Sequence, residues 1–213
     1  KKIMIKKYFY NDKFYKDIIK RKKDPRIKSE YKKILKYKKM IKFVFQDKPL
    51  GTGDAVLKTK KLIKDKYFLM LLPDDLIIKK NCSKSMIAAH KKYMAPVMAS
   101  MKVKKNEVTR WGIYNVKKKV DKNNFIIQSV IEKPSIKEAP SNNAVIGRYI
   151  LPKTIFNKLS TLKPSKGGEI HITDAIQSLI DDKIKFIGHN FYGKYLDCGT
   201  MKGYINSTLE ISK

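Results

Sequence analysis

The sequence predicts an α/β fold. Three observations carry that expectation: from Lys42 onward, short apolar runs alternate with stretches of helical spacing; 42% of the 213 residues are hydrophobic, enough for a substantial core; and polar clusters bearing Gly, Pro or Asp directly follow several of the apolar runs. Residues 1 to about 40 read as two lysine-rich helices broken near Pro25, with Ile18, Ile19, Ile34 and Leu35 at helical intervals. The predicted strands are Phe43–Phe45, Tyr67–Leu72, Val97–Lys102, Gly112–Val116, Phe125–Ile131, Ala144–Leu151 and Lys185–Phe191. The predicted helices between them are Asp54–Ile63, Ser83–Tyr93, Pro152–Leu159, Thr173–Asp182 and Thr200–Ser207. Neither an internal repeat nor a low-complexity linker interrupts them, so the expectation is one domain over residues 1–213, with residues 1–41 a helical segment within it.

Composition excludes several function classes. No apolar run is long enough to span a bilayer, and Lys1–Tyr10 mixes lysine with apolar residues unlike a signal peptide, so the expected address is cytoplasmic. Two cysteines, Cys82 and Cys198, form no CxxC pair, which argues against a disulfide framework or a thiolate zinc site. Three histidines without HExxH spacing, and no Gly-x-Ser-x-Gly turn, argue against zincin and hydrolase chemistry. The formal charge of +30 suggests a polyanionic partner, yet only four of the 49 basic residues are arginines. Lysine spread along the whole chain fits a compositional bias better than a base-reading surface, so nucleic acid is not the expected partner.

Ligands in open α/β sheets gather at the carboxyl ends of strands, which directs attention to the clusters found there. The first, Gln46 to Ala55, places Gly51 and Gly53 in a strand-to-helix turn where backbone can approach an anion or a base edge; an ordinary tight turn would read the same. The second, Leu72-Pro73-Asp74-Asp75, sets two carboxylates at the end of an apolar strand, suited to Mg²⁺ beside phosphates or to capping a turn. Glu132-Lys133-Pro134 offers an acceptor for sugar hydroxyls and a cation for phosphate, although an exposed Glu-Lys pair is ordinary surface. Asp197, in Gly193-Lys194-Tyr195-Leu196-Asp197-Cys198-Gly199, is a second metal candidate or a helix cap. In Gly168-Glu169-Ile170-His171-Ile172-Thr173-Asp174, Thr173 or Asp174 starts a helix.

Taken in order, these clusters resemble the bacterial UTP–glucose-1-phosphate uridylyltransferases, or UDP-glucose pyrophosphorylases. The resemblance rests on Gln46, Leu50-Gly51-Thr52-Gly53-Asp54-Ala55-Val56, Leu72-Pro73-Asp74-Asp75, Gly112 after an aromatic, and Glu132-Lys133-Pro134. It continues through Ala139-Pro140-Ser141-Asn142, Gly147-Arg148-Tyr149, Gly168-Glu169-Ile170 with Thr173-Asp174-Ala175, and Asp197-Cys198-Gly199. It implies a nucleotide-diphosphosugar transferase fold, Rossmann-like, with a mixed and mostly parallel sheet sandwiched by helices. It implies formation of UDP-glucose and pyrophosphate from UTP and glucose 1-phosphate with Mg²⁺. In that reading Gln46 and the Gly51 backbone meet uracil, and Asp74 and Asp197 hold the metal with Asp75 supporting them on the nucleotide side. Gly112, Glu132 and the Val145 backbone hold glucose, while Lys133 and Lys194 contact its phosphate. Alternatives are a relative using dTTP or another sugar 1-phosphate, and a non-catalytic module that binds sugar nucleotides; a homo-oligomer is left open.

Asp54 stands where many relatives carry His, and Trp111 where Tyr is usual. The family opens with a strand and a Gly-x-Gly-Thr-Arg phosphate loop, whereas every glycine here lies at Gly51 or later. The expectation is a domain incomplete at its N-terminus, inactive and poorly stable as residues 1–213, with strand edges exposed.

Overall fold

A computed structural model describes residues 3–11, 13–165 and 167–213, so the opening pair of the Lys1–Tyr10 segment lies outside the described residues. Two compact units emerge, Lys1–Phe45 and Gln46–Lys213. The first holds three helices where two were expected: α1 (Ile3–Tyr10), α2 (Lys13–Lys22) and α3 (Pro25–Lys38). The break at Pro25 falls as predicted. Proline occupies the first helical turn, where its missing N–H costs nothing, and the Asp24 carboxylate caps it by accepting the Arg26 N–H at 2.8 Å. Phe43–Phe45 is not a strand; it has no ladder partner among the described residues, and Val44 and Phe45 are exposed.

The second unit is built on a six-stranded sheet of β1 (Tyr67–Leu71), β3 (Val97–Lys102), β4 (Gly112–Lys119), β5 (Asn124–Glu132), β6 (Asn143–Pro152) and β7 (Ile187–Asn190), in the order β1-β6-β3-β7-β5-β4. The sheet is mixed, as expected, but not mostly parallel: among the described residues only β3 and β7 run parallel, and the other pairings are antiparallel. The sequence misleads here because a continuous apolar run reports burial on both faces and not strand direction. From Ala144 to Pro152, β6 is buried throughout. β1 pairs with β6 along one side, no described strand lines its other side, and Leu69 and Leu71 are exposed there.

Helices cover both faces of the sheet. α5 (Cys82–Tyr93) closes one, with Met86 and Ala89 against Val97, Ile146 and Ile187. α4 (Thr52–Leu57), α6 (Ile155–Leu159) and α7 (Ile172–Asp181) close the other, where Phe156, Ile176 and Leu179 pack with Tyr114, Phe125 and Leu151. A second, two-stranded antiparallel sheet joins β2 (Asp75–Ile78) to β8 (Lys194–Asp197), ahead of α8 (Met201–Ile211). Sequence reasoning misses both short strands. Their residues read as turns because they lie in the Pro-Asp-Asp and Gly-Lys-Tyr clusters. No helix among the described residues is long and apolar enough to cross a membrane.

A polar network ties α5 to the sheet. Asp121, in the β4–β5 turn, accepts the Asn123 and Asn124 N–H groups at 2.9 and 2.8 Å, together with Lys92 Nζ and the Tyr93 hydroxyl. The Asn124 amide nitrogen also donates to Asp121, which leaves its oxygen to accept from His189 Nδ1 at 2.7 Å; His189 Nε2 lies 3.0 Å from the Ser85 hydroxyl. Burial resists ionisation of Asp121, but these donors outweigh it and hold the carboxyl well below the usual range. Burial pushes His189 down, so it stays neutral. Both folded values lie below the unfolded ones, so both contributions are present at neutral pH and are lost on acidification. The histidine contribution fades below about pH 6.5 and the aspartate contribution below about pH 4. Asp121→Asn is expected to lower stability at pH 7 by about 1 kcal/mol, allowing for solvent screening of a partly exposed carboxylate. The gap to wild type should close as pH falls below 4, which urea unfolding across pH 3–7 would follow.

Candidate active site

Two glycines and two sheets assemble the acidic end of the site. β2 and β8 pair Asp75 with Asp197, which carries Asp74 alongside, and the Asp74 carbonyl accepts the Cys198 N–H at 2.8 Å. The Asp74 and Asp197 carboxylates face the same α-carbon: a Cβ added to Gly199 would lie 2.9 Å from Asp74 Oδ2 and 3.3 Å from Asp197 Oδ1. Asp197 Oδ1 accepts the Gly199 N–H at 2.9 Å, and its Oδ2 lies 3.6 Å from the Arg110 guanidinium. Asp74 is exposed. Among the described residues no third His, Cys, Asp or Glu completes a metal cluster with these two. One or two carboxylates with room for phosphate oxygens is the arrangement that suits Mg²⁺.

Asp75 does different work. Its Oδ2 accepts the Gly147 N–H at 2.6 Å, its Oδ1 accepts the Tyr195 hydroxyl at 2.5 Å, and its carbonyl accepts from Arg148. Burial, followed by donation to Asp75, keeps the Tyr195 hydroxyl protonated far above its ordinary range. The carboxylate expected on the nucleotide side is therefore a brace between β2, β6 and β8. Gly147 is required for it, because a Cβ there would fall 2.4 Å from Asp75 Oδ2 and 2.6 Å from Leu72.

Three of the residues expected at the sugar converge. The β4–β5 register sets Gly112 opposite Glu132, and a Cβ on Gly112 would meet Glu132 Oε2 at 2.9 Å and a Val145 methyl at 3.3 Å. Gly112 is buried, and only its lack of a side chain lets the Glu132 carboxylate and Val145 close over it. The next residue, Lys133, is held at φ 45°, with its N–H on the Trp111 carbonyl at 3.0 Å. Lys133, Asp75, Asp197, Arg110, Trp111 and Tyr195 line a cavity of about 440 Å³.

Gln46 and Gly51 do not line it. Gly51, at φ 94°, comes so close to residue 170 that a Cβ would lie 2.5 Å from the Ile170 carbonyl oxygen. Two further bonds, Gly53 N–H to Ile170 O and Ile170 N–H to Leu50 O, both 2.8 Å, fasten the turn to the segment before α7. The Gln46 amide nitrogen donates to the Gly51 carbonyl at 3.0 Å and to buried Asp54 at 2.8 Å. Lys194 does not line it either; its ammonium bonds Glu210 of α8 at 2.7 Å, in an adjoining groove that Arg110, Trp111 and Asp197 also line. The helix predicted at Thr173 or Asp174 begins at Ile172, whose N–H donates to Thr52 Oγ1.

Sequence reasoning assigns no role to Arg110, Arg148 or Tyr195. A signal exists for the first two. In a chain so biased toward lysine, only four arginines occur, and Arg110 and Arg148 are two of them. Buried Arg148 uses its planar fork to reach the carbonyls of Leu72, Gly147 and Asp75, which a single ammonium could not do.

The model of the nucleotidyl transferase family matches residues 6–213. The UTP–glucose-1-phosphate uridylyltransferase of Pseudomonas aeruginosa is 35% identical over 161 residues, 74% of this chain and 57% of that protein. UTP–glucose-1-phosphate uridylyltransferase 2 of Streptococcus pyogenes is 34% identical over 79% of this chain and 58% of its own. The chain thus spans less than two thirds of the length of these curated relatives. A structure of apo UDP-glucose pyrophosphorylase superposes with a TM-score of 0.87 at 31% identity, covering 100% of this chain and 78% of that one. Another, in complex with UDP-glucose, gives 0.78 at 33% identity and covers 89% and 73%. The chain belongs to the nucleotidyl transferase family, and within it to the UTP–glucose-1-phosphate uridylyltransferases.

Proposed function

We propose that this chain carries the sugar-phosphate half of a uridylyltransferase site that joins UTP and glucose 1-phosphate into UDP-glucose and pyrophosphate. The observation that carries the reading is the convergence of Gly112, Glu132 and Val145 beside a cavity lined by Lys133 and Asp197. Glu132 accepts glucose hydroxyls, its carboxylate drawn in over Gly112 next to the cavity that Lys133 and Trp111 line. Lys133 places positive charge next to the sugar phosphate, whose oxygen attacks the α-phosphorus of UTP; the new P–O bond forms as the bond to pyrophosphate breaks. Asp74 and Asp197 would hold Mg²⁺, which supplies charge neutralisation to the phosphates when bound. Gln46 and the Gly51 turn form the candidate uracil end, with Gln46 oriented by Asp54.

Isothermal titration of residues 1–213 with UDP-glucose in Mg²⁺ tests this. Saturable binding is expected, and Glu132→Gln should weaken it about tenfold to a hundredfold, the range for a lost charge-assisted hydrogen bond. Absence of UDP-glucose binding by the folded wild-type chain would overturn the reading.

A further inference from the structure

Arg110 sits where two functions meet, and the uridylyltransferase reading gives it no role. It ends a 3₁₀ helix (Lys105–Arg110) whose Val108 is buried with Val103, Ile113 and Ala144. The Trp111 N–H returns to the Val108 carbonyl at 3.1 Å, and the Trp111 carbonyl accepts the Lys133 N–H. The backbone on both sides of Arg110 is therefore fixed, and fixed next to Lys133. Its side chain is more than half exposed, its guanidinium lies 5.7 Å from the centre of the Trp111 ring, and one nitrogen lies 3.6 Å from Asp197 Oδ2. A guanidinium held over an aromatic ring keeps its planar fork oriented at little entropic cost.

With Gly199 on Oδ1 and Arg110 on Oδ2, both Asp197 oxygens have a donor or a cation, while its neighbour Asp74 is exposed. A divalent cation shared by Asp74 and Asp197 competes with the Arg110 guanidinium for the negative charge of one carboxylate, that of Asp197. Once displaced, the guanidinium remains tethered on the wall of the 440 Å³ cavity that Lys133 also lines.

We propose that Arg110 is a phosphate-binding residue held by Asp197 until a divalent cation replaces it, whereupon it closes with Lys133 on the phosphates of the bound sugar nucleotide. The proposal rests on the uridylyltransferase reading. It couples the two ligands: the cation releases Arg110 for the phosphates, and phosphates that engage Arg110 free Asp197 for the cation.

The test measures two affinities on the 213-residue chain: Mn²⁺ alone, by electron paramagnetic resonance, and UDP-glucose, by calorimetry in Mg²⁺. Arg110→Gln is expected to tighten Mn²⁺ about threefold to tenfold, by removing the competitor, and to weaken UDP-glucose about tenfold. Arg110→Lys should fall between wild type and Arg110→Gln in both. These opposite signs are something a merely structural residue would not produce. Unchanged affinities, or parallel weakening of both ligands, in an Arg110→Gln protein with an unaltered thermal midpoint would overturn the proposal and leave the uridylyltransferase reading standing. A wild-type chain that binds no UDP-glucose removes that reading and the proposal together.

Discussion

Asp197→Asn is expected to abolish the Mg²⁺ dependence of UDP-glucose binding. In the wild-type chain, a cation between Asp74, Asp197 and the diphosphate should tighten UDP-glucose about a hundredfold over its affinity in chelator, since partly desolvated charges at close range interact strongly. With one carboxylate neutralised, the two conditions should agree within about twofold. Asparagine is nearly isosteric and can still accept the Gly199 N–H, so the β8–α8 turn keeps its bond. The substitution also frees Arg110, because the ion pair at Asp197 Oδ2 is lost. UDP-glucose binding in chelator should therefore persist or rise slightly. That residual binding separates a lost cation site from a lost fold. Titrations with and without Mg²⁺ decide it, and a full Mg²⁺ effect surviving in Asp197→Asn would place the cation elsewhere.

The sheet-forming segments are legible in the sequence because their apolar runs are long and bounded by turn residues. Val97–Lys102 matches its strand to the residue, and β1, β5 and β6 match within one or two. Direction is not legible, for the reason that makes β6 so easy to find: a strand buried on both faces shows no alternation from which to judge its neighbours. At the site, glycines are the most informative signals. Gly112, Gly147 and Gly199 each mark a place where a Cβ would strike a carboxylate, so glycines that accompany acidic clusters in the sequence point to real geometry. The roles of individual carboxylates cannot be read the same way. Asp74 and Asp75 are adjacent and chemically identical, yet one is exposed beside Gly199 and the other is clasped by Gly147 and Tyr195. Only the pairing of β2 with β8, two four-residue strands hidden in turn-like sequence, tells them apart.

Gly147→Ala should strongly destabilise the fold around the site. The new Cβ would sit 2.4 Å from Asp75 Oδ2 and 2.6 Å from two atoms of Leu72, too close for any relaxed contact. Leu72 cannot yield freely, because its N–H donates to the Gly147 carbonyl at 2.8 Å and its own carbonyl accepts from Arg148. Asp75 must move instead, breaking its 2.6 Å bond from the Gly147 N–H and straining the one from Tyr195. Overpacking of a fixed core and loss of a charge-assisted hydrogen bond together predict a destabilisation of about 3–5 kcal/mol in urea unfolding. Adding Asp75→Ala to Gly147→Ala removes the atom that clashes most, so the double variant should lose less than the sum of the single losses, with a coupling of about 1–2 kcal/mol. Tyr195→Phe removes only the hydroxyl and should cost about 1 kcal/mol, because Asp75 keeps its bond to the backbone. Strict additivity of Gly147→Ala and Asp75→Ala would mean that the brace between β2, β6 and β8 is not what makes glycine necessary at position 147.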